Sequence, residues 1–101
     1  MNIHYQYERQ ERRQFIAETI GFGNDIATVL HVSKTSKKER YNVLSDSGVV
    51  TVYEKNWKIV TVFIASYPQA IAIYRKCYGK EPNADLKNNF ITAQRYKELE
   101  P

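Results

Sequence analysis

The sequence predicts an α+β domain, and three observations predict it. Charged helix formers and a short apolar stripe fill the N-terminal segment. β-branched and aromatic residues then dominate residues 26–66. Helical spacing of apolar residues returns after Ser66. The expected order is an N-terminal helix, an antiparallel sheet of about four strands, and two C-terminal helices packed on the sheet.

The first helix is expected over residues 7–20. Glu8, Arg9, Glu11, Arg12 and Arg13 favour helix, and Phe15, Ile16 and Ile20 form its apolar stripe. The charged half reads as a solvated face. Gly21-Phe22-Gly23-Asn24-Asp25 reads as the stop, because glycine accepts the left-handed conformation that caps helices.

Four strands follow, at residues 28–32, 41–44, 49–53 and 57–65. Asp46-Ser47-Gly48 and Glu54-Lys55-Asn56 are the tight turns between the last three, which makes those strands antiparallel neighbours. The fourth is apolar on both faces, so it is expected in the middle of the sheet or under helices. An uncovered edge at 28–32 or at 41–44 would favour pairing between chains.

Ser66 can cap the next helix, with Pro68 in its first turn. Ala70, Ile71, Tyr74, Cys77 and Tyr78 follow at helical spacing, and Gly79 ends the run. Cys77 there reads as a small core residue. Asp85 is the expected cap of a last helix, with Leu86, Phe90, Ala93 and Leu99 along one face and Tyr96 beside them. Most of the eight tyrosines are expected in the core or half-buried, but Tyr5 and Tyr7 lie in a polar segment, free to dock on the sheet or meet a partner.

A chain of 101 residues without repeats or linkers is one domain, 1–101. The longest apolar run, residues 59–65, is far short of the roughly 20 residues a membrane-spanning helix needs, so no membrane is expected. The polar start lacks the layout of a signal peptide, and a single cysteine permits no internal disulfide. Both point to the cytoplasm. A net charge of +4 permits contact with phosphate without requiring it.

Neither a metal nor a dinucleotide cofactor is expected. His4 and His31 have no further ligand at metal spacing, there is no phosphate-binding glycine loop, and the order of elements is not βαβ. The densest basic stretch is Lys34-Thr35-Ser36-Lys37-Lys38-Glu39-Arg40-Tyr41, joining the first two strands. Lys34, Lys37 and Lys38 can track a phosphate backbone while Tyr41 stacks on a base. The ordinary alternative is a solvated hairpin loop. His31 sits on the strand face opposite Leu30 and Val32. It is either structural or the candidate for acid–base work, since imidazole exchanges protons near neutral pH. Thr61 stands in the fourth strand, where threonine also occurs for β-propensity alone.

The N-terminal helix, the basic loop, the meander carrying Ile59-Val60-Thr61-Val62-Phe63 and the following Tyr74-Arg75 together resemble a known group. It is the superfamily of small ribonuclease and toxin domains that includes barnase, colicins E5 and D, EndoU and RelE-like toxins. The resemblance covers about residues 28–76. It implies metal-independent cleavage of RNA, with His31 as acid or base, Arg40 and Arg75 stabilising charge, and Thr61 bonding a phosphate oxygen. The chain departs from the barnase pattern in having no strand glutamate at the position of a carboxylate base, since Glu54 falls at a turn. The other function class open to these residues is a non-catalytic accessory protein of a prophage or mobile element that binds a protein or nucleic acid. A nuclease needs its residues to converge in a cleft, whereas a binder needs only an exposed, patterned surface.

Overall fold

The computed structural model describes residues 3–101, with side chains from Arg9 onward. The rings of Tyr5 and Tyr7 lie outside the described residues. Helix α1 (Ile3–Thr19) is followed by strands β1 (Asp25–Val32), β2 (Glu39–Ser45), β3 (Val49–Glu54) and β4 (Ile59–Ile64). Helices α2 (Tyr67–Tyr78) and α3 (Ala84–Lys97) complete the chain. The strands form one antiparallel meander in the order β1-β2-β3-β4. This is the α+β architecture the sequence predicts. Among the described residues no helix is long and apolar enough to cross a membrane.

Local chemistry sets the boundaries. The Ser66 hydroxyl accepts from the Gln69 amide and starts α2 with Pro68 in its first turn, and Gly79 ends it at φ 69°. α3 is capped by Asn83, whose side chain accepts from the Leu86 amide, and not by Asp85, which sits in the first turn. The β2–β3 turn needs glycine twice over. Gly48 has φ +86°, and a Cβ there would lie 2.6 Å from the Cβ of Ala93.

Cross-strand pairing assigns the faces. Ala27, Leu44, Val50 and Phe63 pair in sequence and share one face. That face packs on Ala70, Ile71 and Ile73 of α2 and Phe90 of α3. On the other face, Val49, Val62 and Ile64 join Ile16 of α1, with Phe15 and Ile20 packed around them. α1 makes its principal strand contact with β4.

Of the two placements expected for β4, the second holds: it is an edge strand, apolar on both faces because helices flank it. Other expectations are corrected. β2 is interior, so only β1 remains as an uncovered edge. α1 begins at Ile3, before residue 7, and Arg12 turns from the solvated face towards β4, where its guanidinium lies 3.4 Å from Thr61 Oγ1. Cys77 is exposed. The C-terminal turn of α2 reaches the rim of β1, where Cys77 and Tyr78 meet Asp25–Thr28 and the sheet offers nothing to bury them. Leu99 lies beyond α3 and is 69% exposed, because the chain turns after Lys97 and aims Glu100 inward instead.

Candidate nucleic-acid interface

The end of the sheet opposite the Asp46-Ser47-Gly48 turn carries the polar and aromatic side chains that the core does not use. The β1–β2 loop closes with Ser33 N–H donating to Lys38 O at 3.0 Å and Lys37 N–H donating to Ser33 O at 3.0 Å. Ser33 Oγ accepts from the Ser36 amide at 3.3 Å. Lys37 takes φ 59°, the left-handed region that a non-glycine residue enters only in a constrained turn. The loop is therefore hydrogen-bonded internally while Lys34, Lys37 and Lys38 all project into solvent.

His31 is the direct cross-strand partner of Arg40, so both emerge on the face that packs on α2 and α3. His31 is exposed and Arg40 half-buried. With Ser33, Ser36 and Lys38 they line an open hollow of about 430 Å³. A neighbouring hollow of about 410 Å³ is lined by Lys37, Lys38, Arg40, Lys55, Glu39 and Glu54. Arg40 belongs to both, and Glu54 is its partner on β3. Cations outnumber carboxylates there four to two, and one carboxylate, Glu39, is paired with Lys55 at 3.2 Å. The surplus is positive, which suits a phosphate group.

The other two candidate residues stand elsewhere. Thr61 shares Arg40's face by register but lies two strands away, at about 4.8 Å per strand. Its hydroxyl faces the Arg12 guanidinium. Arg75, on the last turn of α2, is hydrogen-bonded and ion-paired to Glu81, which Lys87 approaches at 3.6 Å. His31, Arg40 and Lys38 thus come together, and Thr61 and Arg75 do not join them. Among the described residues, no three His, Cys, Asp or Glu side chains gather as a metal site requires.

The opposite face of the same end is aromatic. Leu30, Tyr41, Tyr53 and Ile59 pair in succession and form one row across all four strands. Trp57 stacks on Tyr41 with centroids 4.8 Å apart and planes inclined by 14°. It meets Tyr53 edge-on at 5.5 Å and 63°. Trp57 was expected to open the fourth strand. Instead it occupies the β3–β4 turn at φ 65°, its N–H donating to Glu54 O at 2.8 Å. That placement throws the indole back over the sheet and leaves it 58% exposed.

Tyr53 and Trp57 are the residues sequence reasoning missed. The Tyr41–Tyr53 pairing was available, because a tight turn at residues 46–48 sets those two opposite each other. The position of Trp57 was not, since it depends on a left-handed residue that nothing in Asn56-Trp57-Lys58 advertises. Comparison with protein-family models, with curated proteins and with solved structures gives no match.

Proposed function

We propose that this chain is a small RNA-interacting domain that holds a single strand at the open end of its sheet. One observation carries the reading: an aromatic stack with an exposed indole face and a cationic loop occupy the same end of one sheet. Exposed aromatic rings on a sheet stack unpaired bases, and flanking lysines neutralise the phosphates between them. Trp57 supplies the stacking face, supported from beneath by Tyr41 and Tyr53. Lys34, Lys37, Lys38 and Lys55 supply charge.

Cleavage of the bound strand is the catalytic extension of this reading, in line with the ribonuclease-toxin resemblance. In that reaction a base removes the 2′-hydroxyl proton and the oxygen attacks the adjacent phosphorus. The 5′-oxygen leaves with a proton, giving a 2′,3′-cyclic phosphate and a 5′-hydroxyl. His31 is the proton-transfer group the hollow offers, and Arg40 with Lys38 stands where phosphorane charge develops. Thr61 and Arg75 take no part in this version.

Trp57 is the only tryptophan, so its emission reports on the site directly. Titration with a short single-stranded RNA should quench it, with an affinity that falls with salt by a log–log slope of about −0.7 per phosphate contacted. Trp57→Ala should weaken binding by about 1–3 kcal/mol, the usual worth of one stacked base. Unchanged emission at low salt would overturn the reading. Incubation of the bound RNA with chelator present, beside His31→Ala and Arg40→Ala variants, then separates a nuclease from a binder. Growth arrest on induction, relieved by those substitutions, would carry the toxin reading into cells.

One observation favours the second function class, a non-catalytic protein-binding accessory. Leu30, Val32, Trp57 and Ile59 are each 42–58% exposed at one end of the sheet, an apolar exposure typical of interaction surfaces. Intact RNA with a quenched Trp57 places the chain among nucleic-acid binders, and silence in both assays leaves this class.

A further inference from the structure

The free edge of the sheet leads to an inference independent of RNA. β1 is an outer strand with β2 on one side only. Ser33 donates to Lys38, and the register then directs the backbone groups of residues 27, 29 and 31 towards β2. Those of Thr28, Leu30 and Val32 point outward. Among the described residues none of these outward groups has a hydrogen-bond partner. The free stretch is bounded at both ends. The Tyr78 hydroxyl donates to Ile26 O at one end, and the chain turns into the β1–β2 loop after Val32 at the other.

We propose that two copies of this chain pair antiparallel through β1, about a twofold axis at Leu30, to form one continuous eight-stranded sheet. The edge is complementary to itself. With Leu30 opposite Leu30 of the second copy, Thr28 falls opposite Val32 and every outward N–H meets an outward C=O. Three residues per chain each donate and accept once, so two chains exchange six hydrogen bonds. The axis lies at the centre of the free stretch, so both its ends are used and neither blocking group intrudes.

Side chains favour the same occupant. Residues 28–32 contain no lysine, proline or bulge, the devices by which exposed edges avoid pairing. Leu30 and Val32 are 42% and 44% exposed, and pairing buries them against their counterparts. The row Leu30–Tyr41–Tyr53–Ile59 then continues into the second copy across the joined face. Charge fits as well. Antiparallel pairing sets Lys34 of one copy opposite Ile26 of the other, beside the exposed Asp25, and carries the two basic loops to opposite ends of the seam.

Sedimentation velocity over a range of concentrations tests this, read together with amide exchange. The chain should shift with concentration from 11.8 kDa towards twice that mass. The amides of Thr28, Leu30 and Val32 should gain protection in the same range. Leu30→Pro removes one outward N–H without touching the β1–β2 ladder, so it should stay at monomer mass with an unchanged circular dichroism spectrum. Leu30→Lys, which keeps the N–H but adds an edge charge, should do the same. A chain that stays at 11.8 kDa at its highest soluble concentration, with those three amides unprotected, overturns the proposal. So does a dimer that survives both substitutions.

Discussion

The two edges of this sheet are treated in opposite ways. β4 is sealed at its C-terminal end. α1 lies along it, and α3 and the C-terminal tail close its backbone at Ile64. Glu100 Oε1 accepts from the Ile64 amide at 3.2 Å, and Lys97 Nζ donates to the Ile64 carbonyl at 2.8 Å. Glu100 lies 3.6 Å from the Arg12 guanidinium and 3.8 Å from Lys97, with only 9% of its side chain exposed. The helix, the tail and the strand are thus tied at one point. Among the described residues β1 has only the Tyr78 hydroxyl on its rim, and it shows Thr28, Leu30, His31 and Val32 to solvent. A folded chain that closes one edge with three segments and leaves the other open has an available seam at the second. The basic loop adjoins that open side, and the row of Leu30, Tyr41, Tyr53 and Ile59 reaches it at Leu30.

The sealed edge should therefore tolerate little. Ile16 is fully buried between α1 and β4, so Ile16→Ala should cost about 2–5 kcal/mol in urea denaturation. Glu100→Ala removes the acceptor shared by Ile64 and the cations, leaving a buried amide unsatisfied. A loss of about 1–3 kcal/mol is expected, together with faster exchange of the Ile64 amide. Lys97→Met keeps most of the aliphatic stem but loses the bond to the Ile64 carbonyl and the ammonium over the Phe63 ring, for a cost of about 1 kcal/mol. At the open edge, Leu30→Ser in dilute solution should change stability by no more than about 0.5 kcal/mol, because the side chain is half in water already. If Leu30→Ser instead destabilised the dilute chain as much as Glu100→Ala, the contrast between the edges would collapse.

Much of this architecture was legible in the residues themselves. The apolar stripe Phe15, Ile16 and Ile20 packs as its spacing predicts, and Ser66, Pro68 and Gly79 bound α2 as their chemistry requires. Local rules succeed there because capping and periodicity act within a turn or two. They failed where the environment lay far along the chain. Cys77 has helical core spacing but reaches past the rim of β1, and Leu99 yields its inward place to Glu100. The candidate site divided along the same line. His31 and Arg40 meet because strand register brings them together, whereas Thr61 and Arg75 are engaged by Arg12 and Glu81.

By itself the sequence determined the order of elements, the β2–β3 turn, the ends of α2 and the concentration of positive charge in the loop before β2. Each follows from side-chain volume, backbone freedom or charge within a few neighbouring positions. Only the tertiary structure decided which strands are edges, which edge is sealed, and which face of the sheet carries Trp57 over Tyr41. Those outcomes depend on contacts between segments dozens of residues apart. A hydrogen-bonding edge or an aromatic face becomes open or closed only when the rest of the chain has taken its place beside it.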